Sequence, residues 1–194
     1  MSSRFHEVSP GSFIYTLPNA LETDFCEEVI TRFENSSSHH KSGRIGQEAS
    51  IDADIKRSTD LRISGLADWV DIDKAFLFSL QSGLSLLSGL HPFFKSNSFK
   101  DMGYQIQRSS SGEYYRWHID TGPGPLSQRQ LVAIWYLNNL DEKGGKTEFF
   151  HQNVSVTPEA GKLILFPPFW THLHQGESVL ASDKYIATTW ICFA

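Results

Sequence analysis

Repeated strand signals in the second half of the chain restrict its fold more than any other feature of the sequence. From Gly103 onward, short apolar or alternating segments are separated by glycine, proline and other turn formers. The expected strands are Tyr104–Arg108, Glu113–Asp120, Leu131–Leu137, Thr147–Phe150, Val154–Val156, Lys162–Phe166, Phe169–His174 and Lys184–Phe193. Many short strands joined by turns are typical of a jelly-roll or a related β-sandwich, so we predict a mainly β architecture.

Two amphipathic segments that precede these strands are predicted to be helices. Leu21–Phe33 places apolar side chains at helical spacing, with Thr23 as the expected N-cap. Asp68–Leu90 has the same periodicity, and Pro92 ends it. Both helices are expected to support the sheets from outside.

The remaining N-terminal residues complete a one-domain organisation. Residues 12–17 are a predicted first strand, and the first part of the polar stretch 35–60, Asn35–Ser50, is predicted to be a loop. No repeat or linker composition divides the chain. We therefore expect a single domain over residues 1–194, with helical support at about 20–92 and a β core at about 103–193.

The overall composition excludes several functional classes. The chain of 194 residues has a formal net charge of −5, which argues against nucleic-acid binding, since such proteins are usually basic. Its two cysteines form neither a disulfide framework nor a thiolate metal site. No apolar run has the length of a membrane span, and no signal-peptide core is visible. A cytoplasmic protein without membrane contact is the expectation.

The most informative local pattern is His118-Ile119-Asp120. Side chains two apart on a strand point to the same face, so an imidazole and a carboxylate would lie close enough to hold one metal ion. A third ligand from a distant strand would complete a two-histidine, one-carboxylate site of the type that binds Fe(II) and leaves positions open. The same pattern also occurs by chance at strand ends, so it needs support from elsewhere in the chain.

That support comes from residues 161–190, where two histidines compete for the third position. His172 and His174 are two apart, so strand alternation places both on one face and does not choose between them. Lys184 lies ten positions after His174 and twelve after His172. Taken alone, Lys184 next to Asp183 is better explained as a solvated strand end.

The combination of motifs resembles the 2-oxoglutarate- and Fe(II)-dependent dioxygenases, in their prolyl-4-hydroxylase-like branch. The resemblance extends over about residues 12–193 and is carried by four spaced motifs: Gly112 to Asp120 with Tyr115 three residues before His118, Tyr136-Leu137-Asn138, Gly144-Gly145-Lys146-Thr147-Glu148-Phe149, and His174 with Lys184. The ten-residue spacing of the family selects His174 over His172.

The resemblance implies a double-stranded β-helix (jelly-roll) flanked by the N-terminal helices, and a site for Fe(II). His118, Asp120 and His174 would be the catalytic metal ligands. Lys184 would bind the far carboxylate of 2-oxoglutarate, helped by a hydroxyl of Tyr136, Tyr115 or Thr188. O₂ is the second cosubstrate implied, with ascorbate left open as an accessory.

The implied reaction hydroxylates an unactivated C–H bond and releases succinate and CO₂. Asp120 favours hydroxylation, since related halogenases have a small residue at that position. Alkylation-repair relatives carry a second arginine where this chain has Trp190, which argues against nucleic-acid substrates. The substrate is expected to be a prolyl or other peptidyl side chain, or a small molecule, and the oligomeric state is left open. Two alternatives remain: a non-catalytic metal-binding or sensory jelly-roll, and a cupin-like metalloenzyme that does not use 2-oxoglutarate.

Overall fold

The computed structural model describes residues 4–46, 49–140 and 144–194. Parts of two expected features lie outside these ranges. They are residues 47–48 of the predicted polar loop and residues 141–143, which lead into the Gly144-Gly145 turn.

Thirteen strands and three α-helices form the described part of the chain. The strands are β1 His6–Glu7, β2 Tyr15–Leu17, β3 Lys41–Ser42, β4 Thr59–Arg62, β5 Phe99–Asp101, β6 Gln105–Ser109, β7 Tyr115–His118, β8 Arg129–Tyr136, β9 Thr147–Phe149, β10 Val154–Val156, β11 Leu163–Phe166, β12 His174–Gly176 and β13 Lys184–Phe193. The helices are α1 Thr23–Asn35, α2 Val70–Leu90 and α3 Pro92–Ser96.

Two antiparallel sheets face each other. Among the described residues, the large sheet has the order β1-β2-β11-β8-β13-β6-β4-β3, with β5 paired to the end of β13. The small sheet has the order β10-β9-β12-β7. Neighbouring strands are mostly not consecutive in the chain, which is the crossing connectivity of a jelly-roll rather than of a simple meander. The predicted mainly β, jelly-roll architecture is confirmed.

The central strand β8 explains the long apolar run in the sequence, because both of its faces are buried. Leu131, Ala133 and Trp135 belong to the core between the large sheet and the helices. The alternate residues, including Ile134 and Tyr136, belong to a second core between the two sheets. A strand covered on both faces has no polar side, so its sequence shows no alternation.

The helix α2 packs against the outside of the large sheet through a glycine. A Cβ atom at Gly83 would lie 2.8 Å from Leu163 Cδ2 and 3.4 Å from Leu165 Cδ1. The helix gives up some intrinsic stability at this glycine, since glycine disfavours helices. In return the helix axis approaches β11 closely. None of the helices among the described residues is long and apolar enough to cross a membrane.

A short segment joins the two sheets on one side. Residues 53–57, which we call the strap, lie antiparallel to β7, with Lys56 bridged to Tyr115 and the Arg116 N–H donating to Ile55 O at 2.9 Å. The chain then enters β4, which pairs with β6 in the large sheet. The strap therefore extends the small sheet, and β4 extends the large one.

Several local predictions differ from the structure. The predicted loop Asn35–Ser50 is not wholly irregular, since it contains a 3₁₀ turn at Ser37–His39 and the short strand β3. The predicted strand Phe169–His174 is wrong, because Trp170–His172 forms a 3₁₀ turn and β12 begins only at His174. The N-cap of α1 is Glu22, not Thr23, and its side chain makes no capping hydrogen bond.

Candidate metal centre

The structure brings together the imidazoles of His118 and His174 and the carboxylate of Asp120. One ligand atom from each lies within 4.8 Å of the others, and His174 Nε2 is 3.2 Å from Asp120 Oδ2. His118 ends β7 and pairs directly with His174 at the start of β12. The two histidines therefore meet across neighbouring strands of the small sheet, on the face that points into the barrel.

Asp120 reaches the same point differently from the sequence-based prediction. The strand β7 ends at His118, so strand alternation does not place the carboxylate. The Asp120 N–H instead donates to Pro168 O at 3.0 Å, and Arg129 Nη1 donates to Asp120 O at 2.7 Å. These two backbone bonds hold Asp120 just beyond the strand, with its side chain buried.

The hydrogen bonds of the two imidazoles determine which nitrogen faces inward. His118 Nδ1 lies 2.7 Å from Arg116 O, and His174 Nδ1 lies 2.9 Å from His172 O. A carbonyl oxygen only accepts, so each Nδ1 carries a proton and each ring directs Nε2 toward Asp120. A metal ion would replace any proton on these inner nitrogens, and two Nε2 lone pairs and a carboxylate would then face it. Such a set fits a divalent cation, and it resembles the two-histidine, one-carboxylate sites of non-haem Fe(II) proteins.

The protonation states favour metal binding. Burial, together with the nearby His174, lowers the pKa of His118 to about 3, so this ring is neutral at physiological pH. Burial by itself would raise the pKa of Asp120. The hydrogen bond with His174, the charge interactions with both imidazoles and Arg129 outweigh it and hold that pKa below its ordinary value. Neutral imidazoles and an ionised carboxylate are the forms that bind metals.

His172 is separated from this cluster. Its side chain is buried, with Nε2 2.9 Å from Ser12 O and Nδ1 2.9 Å from Thr171 Oγ1. The 3₁₀ turn breaks the alternation that would have placed His172 beside His174. The carbonyl of His172 nevertheless accepts a hydrogen bond from His174 Nδ1, so the residue supports the cluster through its backbone.

Lys184 lies in the cavity that contains the cluster. It is the first residue of β13 and is 5% exposed, and burial lowers the pKa of its amine to about 8, with the charge of Glu177 opposing the change. No ion pair or hydrogen bond of its ammonium is found among the described residues. A buried cation without a partner is costly unless a ligand supplies the opposite charge. The side chain is therefore suited to bind an anionic group.

The three hydroxyl candidates have different surroundings. Thr188 shares the inner face of β13 with Lys184 and lines the cavity. The Tyr136 hydroxyl donates to Thr147 Oγ1 at 2.7 Å, and Lys184 Nζ lies 5.7 Å from the Tyr136 ring centroid. The ring of Tyr115 stacks on His118 with centroids 3.4 Å apart. Tyr115 therefore lies beside the metal ligands as well as on the cavity wall.

Two charged residues of the site carried no signal in the sequence. Lys56 of the strap lines the cavity, and its Nζ donates to Asp60 Oδ2 at 2.8 Å in a buried ion pair. Arg129 stacks on Trp190, with Cζ 3.8 Å from the ring centroid, while it holds Asp120. Lys56 lies in a polar stretch, and Arg129 begins an apolar strand. Neither position belongs to a spaced motif, so only the folded chain reveals them.

The cavity itself combines two kinds of wall. It measures about 640 Å³ when its open mouth is included. Its polar end holds Lys184, Thr147 and Thr188, and its wall also includes the rings of Tyr115 and Trp190. The metal cluster lies on this same wall. An anionic ligand and an apolar group can therefore be held together beside the metal.

A jelly-roll carrying an inward two-histidine, one-carboxylate set with a buried lysine defines the class of metal-dependent oxygenases. Residues 104–192 match the 2OG-Fe(II) oxygenase superfamily, and this stretch contains the cluster and Lys184. The match covers a little under half of the chain. It confirms the resemblance to the 2-oxoglutarate- and Fe(II)-dependent dioxygenases that was drawn from the motifs, and prolyl hydroxylases among the relatives and solved structures confirm the resemblance to the prolyl-4-hydroxylase-like branch.

Curated relatives extend the similarity to named proteins. A PKHD-type hydroxylase of Synechococcus sp. (strain CC9605) is 30% identical over 90 residues, which cover 44% of this chain and 40% of the relative. The chain thus matches less than half the length of that protein. Prolyl 4-hydroxylase 13 of Arabidopsis thaliana is 24% identical over an alignment of 214 residues that covers 96% of this chain and 73% of the relative.

Solved structures share the fold at low sequence identity. A Trichoplax adhaerens prolyl hydroxylase in complex with a hypoxia inducible factor peptide fragment has a TM-score of 0.78 at 19% identity, covering 94% of this chain and 84% of that one. A Pseudomonas putida prolyl-4-hydroxylase has a TM-score of 0.70 at 17% identity, covering 94% and 93%. These likenesses independently support the double-stranded β-helix.

Proposed function

We propose that this protein is an Fe(II)- and 2-oxoglutarate-dependent hydroxylase that acts on a peptidyl side chain, with proline as the leading candidate. One observation carries the proposal: a two-histidine, one-carboxylate cluster shares a single cavity with a buried lysine that has no ion-pair partner among the described residues. The reaction converts 2-oxoglutarate, O₂ and a C–H bond into succinate, CO₂ and a C–OH group. Prolyl hydroxylases among the relatives and structural neighbours support the peptidyl substrate.

His118, Asp120 and His174 would hold Fe(II), which supplies the oxygen-activating chemistry when bound. Carbonyl acceptors on both Nδ1 atoms fix the orientation of the two rings, so the ligands are in place before the metal arrives. Lys184 would bind the far carboxylate of 2-oxoglutarate through its ammonium. The cosubstrate would then extend from Lys184 toward the cluster, with Thr188 beside its carboxylate.

The aromatic part of the cavity would hold the substrate. The rings of Tyr115 and Trp190 line the cavity beside the cluster, and they offer apolar faces to a compact side chain such as a proline ring. Arg129 stacks against Trp190 and also binds the Asp120 carbonyl, so it fixes one aromatic wall relative to a metal ligand. Close packing of this kind orients one C–H bond toward the metal and excludes water.

The test is succinate formation by iron-loaded protein with 2-oxoglutarate, measured against proline-containing peptides and free amino acids. A peptide should gain one oxygen atom in amounts equal to the extra succinate formed. The His118→Ala and Asp120→Ala variants should lose this activity and bind Fe(II) weakly. Full activity in either variant would exclude the iron-oxygenase mechanism. Turnover of a free small molecule with all peptides inert would exclude the peptidyl substrate.

We further propose a single domain and a cytoplasmic location. The single domain is supported by one core cluster shared between the helices and the large sheet. The location is supported by Cys26 and Cys192, which are both free thiols in buried positions, as is usual in reducing compartments. Cell fractionation followed by detection of the protein tests the second proposal.

A further inference from the structure

Two arginines and a tyrosine form a cationic surface at the mouth of the cavity. Arg116 Cζ lies 4.6 Å and Arg57 Cζ 5.6 Å from the ring centroid of Tyr114, and both arginines are exposed. We call Arg57, Tyr114 and Arg116 the basic rim. An aromatic ring in contact with two guanidinium groups limits their motion and keeps the two charges close together.

The basic rim is attached rigidly to the proposed metal site. Tyr114 lines the cavity and directly precedes β7, which carries His118. Arg57 belongs to the strap, and its N–H donates to Tyr114 O at 2.8 Å. The backbone pairing of the strap with β7 therefore fixes both guanidinium groups relative to the metal ligands. A ligand that reaches the cluster through this mouth passes the rim.

The guanidinium groups retain unused binding capacity. Arg57 Nε donates to Ala53 O at 3.0 Å and Arg116 Nε donates to Asp54 O, so each side chain is held by its inner nitrogen. Arg116 Nη2 also donates to the Tyr114 hydroxyl at 3.5 Å, and the other Nη groups have no hydrogen-bond acceptor among the described residues. Over the described ranges, neither arginine has a carboxylate within 4.0 Å, although Asp52 and Asp54 lie on the same segment.

Two other surface arginines, by contrast, have carboxylate partners. Arg32 forms ion pairs with Glu28 and Asp71, and Arg108 forms one with Glu34. The whole chain has a net charge of −5, so an anionic partner is attracted only where positive charge is concentrated. Free guanidinium groups at a cavity mouth are suited to bind carboxylates through paired N–H donors.

We propose that the basic rim binds an acidic residue of the substrate, adjacent in sequence to the residue that enters the cavity. The inference rests on the proposed peptidyl hydroxylase function and narrows its substrate class to proline-containing segments flanked by aspartate or glutamate. Its physical basis is charge complementarity, which acts on specificity and association rate more than on packing. It does not require Lys184 or the metal ligands to contact the acidic residue.

The experiment measures direct binding, so it does not depend on turnover. Three fluorescently labelled probe peptides share the sequence Gly-Xaa-Pro-Xaa-Gly, where Xaa is Glu, Gln or Lys. Their affinities for the full chain loaded with Mn(II) and 2-oxoglutarate are compared at low and high salt. The Glu peptide should bind about threefold to tenfold more tightly than the Gln peptide, and high salt should reduce that ratio, because exposed charge pairs are screened.

Two matched double variants isolate the rim. Arg57→Gln/Arg116→Gln should abolish the preference for the Glu peptide. Lys95→Gln/Lys100→Gln removes the same charge from exposed positions outside the cavity and should preserve the preference. Arg57→Glu/Arg116→Glu should reverse the order, so that the Lys peptide binds best. Equal stability of the variants in thermal unfolding shows that the changes act on binding.

The outcomes separate this inference from the proposed function. Equal binding of the three peptides, or a Glu preference that survives in Arg57→Gln/Arg116→Gln, would overturn the role of the rim whatever the enzyme activity. A rim-dependent Glu preference without oxygen gain on any peptide would support the acidic site and refute peptidyl hydroxylation. Rim-dependent binding together with hydroxylation of the Glu peptide would support both.

Discussion

At the scale of single residues, the two histidines of the 169–176 segment have separate tasks. His174 faces the cluster with Nε2, whereas His172 is directed to Ser12 and offers only its carbonyl. We expect His174→Ala to lose metal binding. We expect His172→Ala to keep the metal with weaker affinity. The carbonyl that orients His174 remains in this variant, but the side-chain hydrogen bonds that hold residue 172 in place are lost. Titration with Fe(II) or Mn(II) measures both, and metal loss only in His172→Ala would contradict the assignment.

The amine of Lys184 should make cosubstrate binding depend on pH. Burial lowers its pKa to about 8, so the free site carries its positive charge below that pH and loses it above. Binding of a carboxylate needs the charged form. The 2-oxoglutarate concentration for half-saturation should therefore be constant below about pH 7 and rise toward tenfold per pH unit above the pKa, since one proton is taken up on binding.

Substitutions of Lys184 test that explanation. Lys184→Ala should raise the half-saturation concentration strongly at every pH, because the buried carboxylate has no partner. Lys184→Arg should also be impaired, because the guanidinium group is planar. Its half-saturation concentration should not change across the same pH range, however, since arginine stays charged. A pH dependence that persists in Lys184→Arg would assign the titration to another group.

At the scale of elements, the strap depends on one buried ion pair. Lys56 and Asp60 have side-chain exposures of 3% and 10%, and Asp60 also accepts hydrogen bonds from Ser58 and Gln105. Removing the ammonium would leave a buried carboxylate without its counter-charge. We expect Lys56→Met to lower the free energy of unfolding by about 3–5 kcal/mol.

Urea unfolding measures this loss, and a second variant separates charge from packing. Lys56→Met/Asp60→Asn removes both charges, so a substantial part of the lost stability should return. If Lys56→Met and the double variant were equally destabilised, the packing of the lysine stem would be responsible instead of the ion pair.

At the scale of the whole molecule, metal binding should stabilise the fold. The three ligands come from β7, from the second residue beyond it and from β12, so they meet only in the folded chain. A metal that binds only this state adds about 2.7 kcal/mol at a hundredfold excess over its dissociation constant. For a chain of this size that corresponds to a rise in Tm of about 5–10 °C. Thermal unfolding with and without Mn(II) checks the shift, and His118→Ala should show none.

The helices and the large sheet should unfold together. Phe33 of α1, Phe76 of α2 and Trp135 of β8 belong to one buried cluster, so the helical support has no core of its own. We expect a single cooperative transition with coincident loss of helical and aromatic circular dichroism signals. Two separated transitions would contradict the single-domain proposal.

The sequence by itself determined the fold class, because periodicity and turn residues are local properties. Strand β8 was predicted from its apolar run, and the other strands of the second half from short apolar or alternating segments between turn residues. The spacing of His118, Asp120, His174 and Lys184 indicated the family, since a ligand set leaves a fixed pattern along the chain. These conclusions needed no knowledge of which strands pair.

Only the tertiary structure decided how the site is assembled. Asp120 is placed by the Pro168 carbonyl and Arg129, and the 3₁₀ turn before His174 removes His172 from the cluster. The strap carries Lys56 and Arg57 to the cavity from a stretch that resembles a loop. These positions depend on contacts between residues distant in sequence, and neither residue propensity nor spacing encodes such contacts. These positions become stable only when the two sheets close around the cavity and the contacts form.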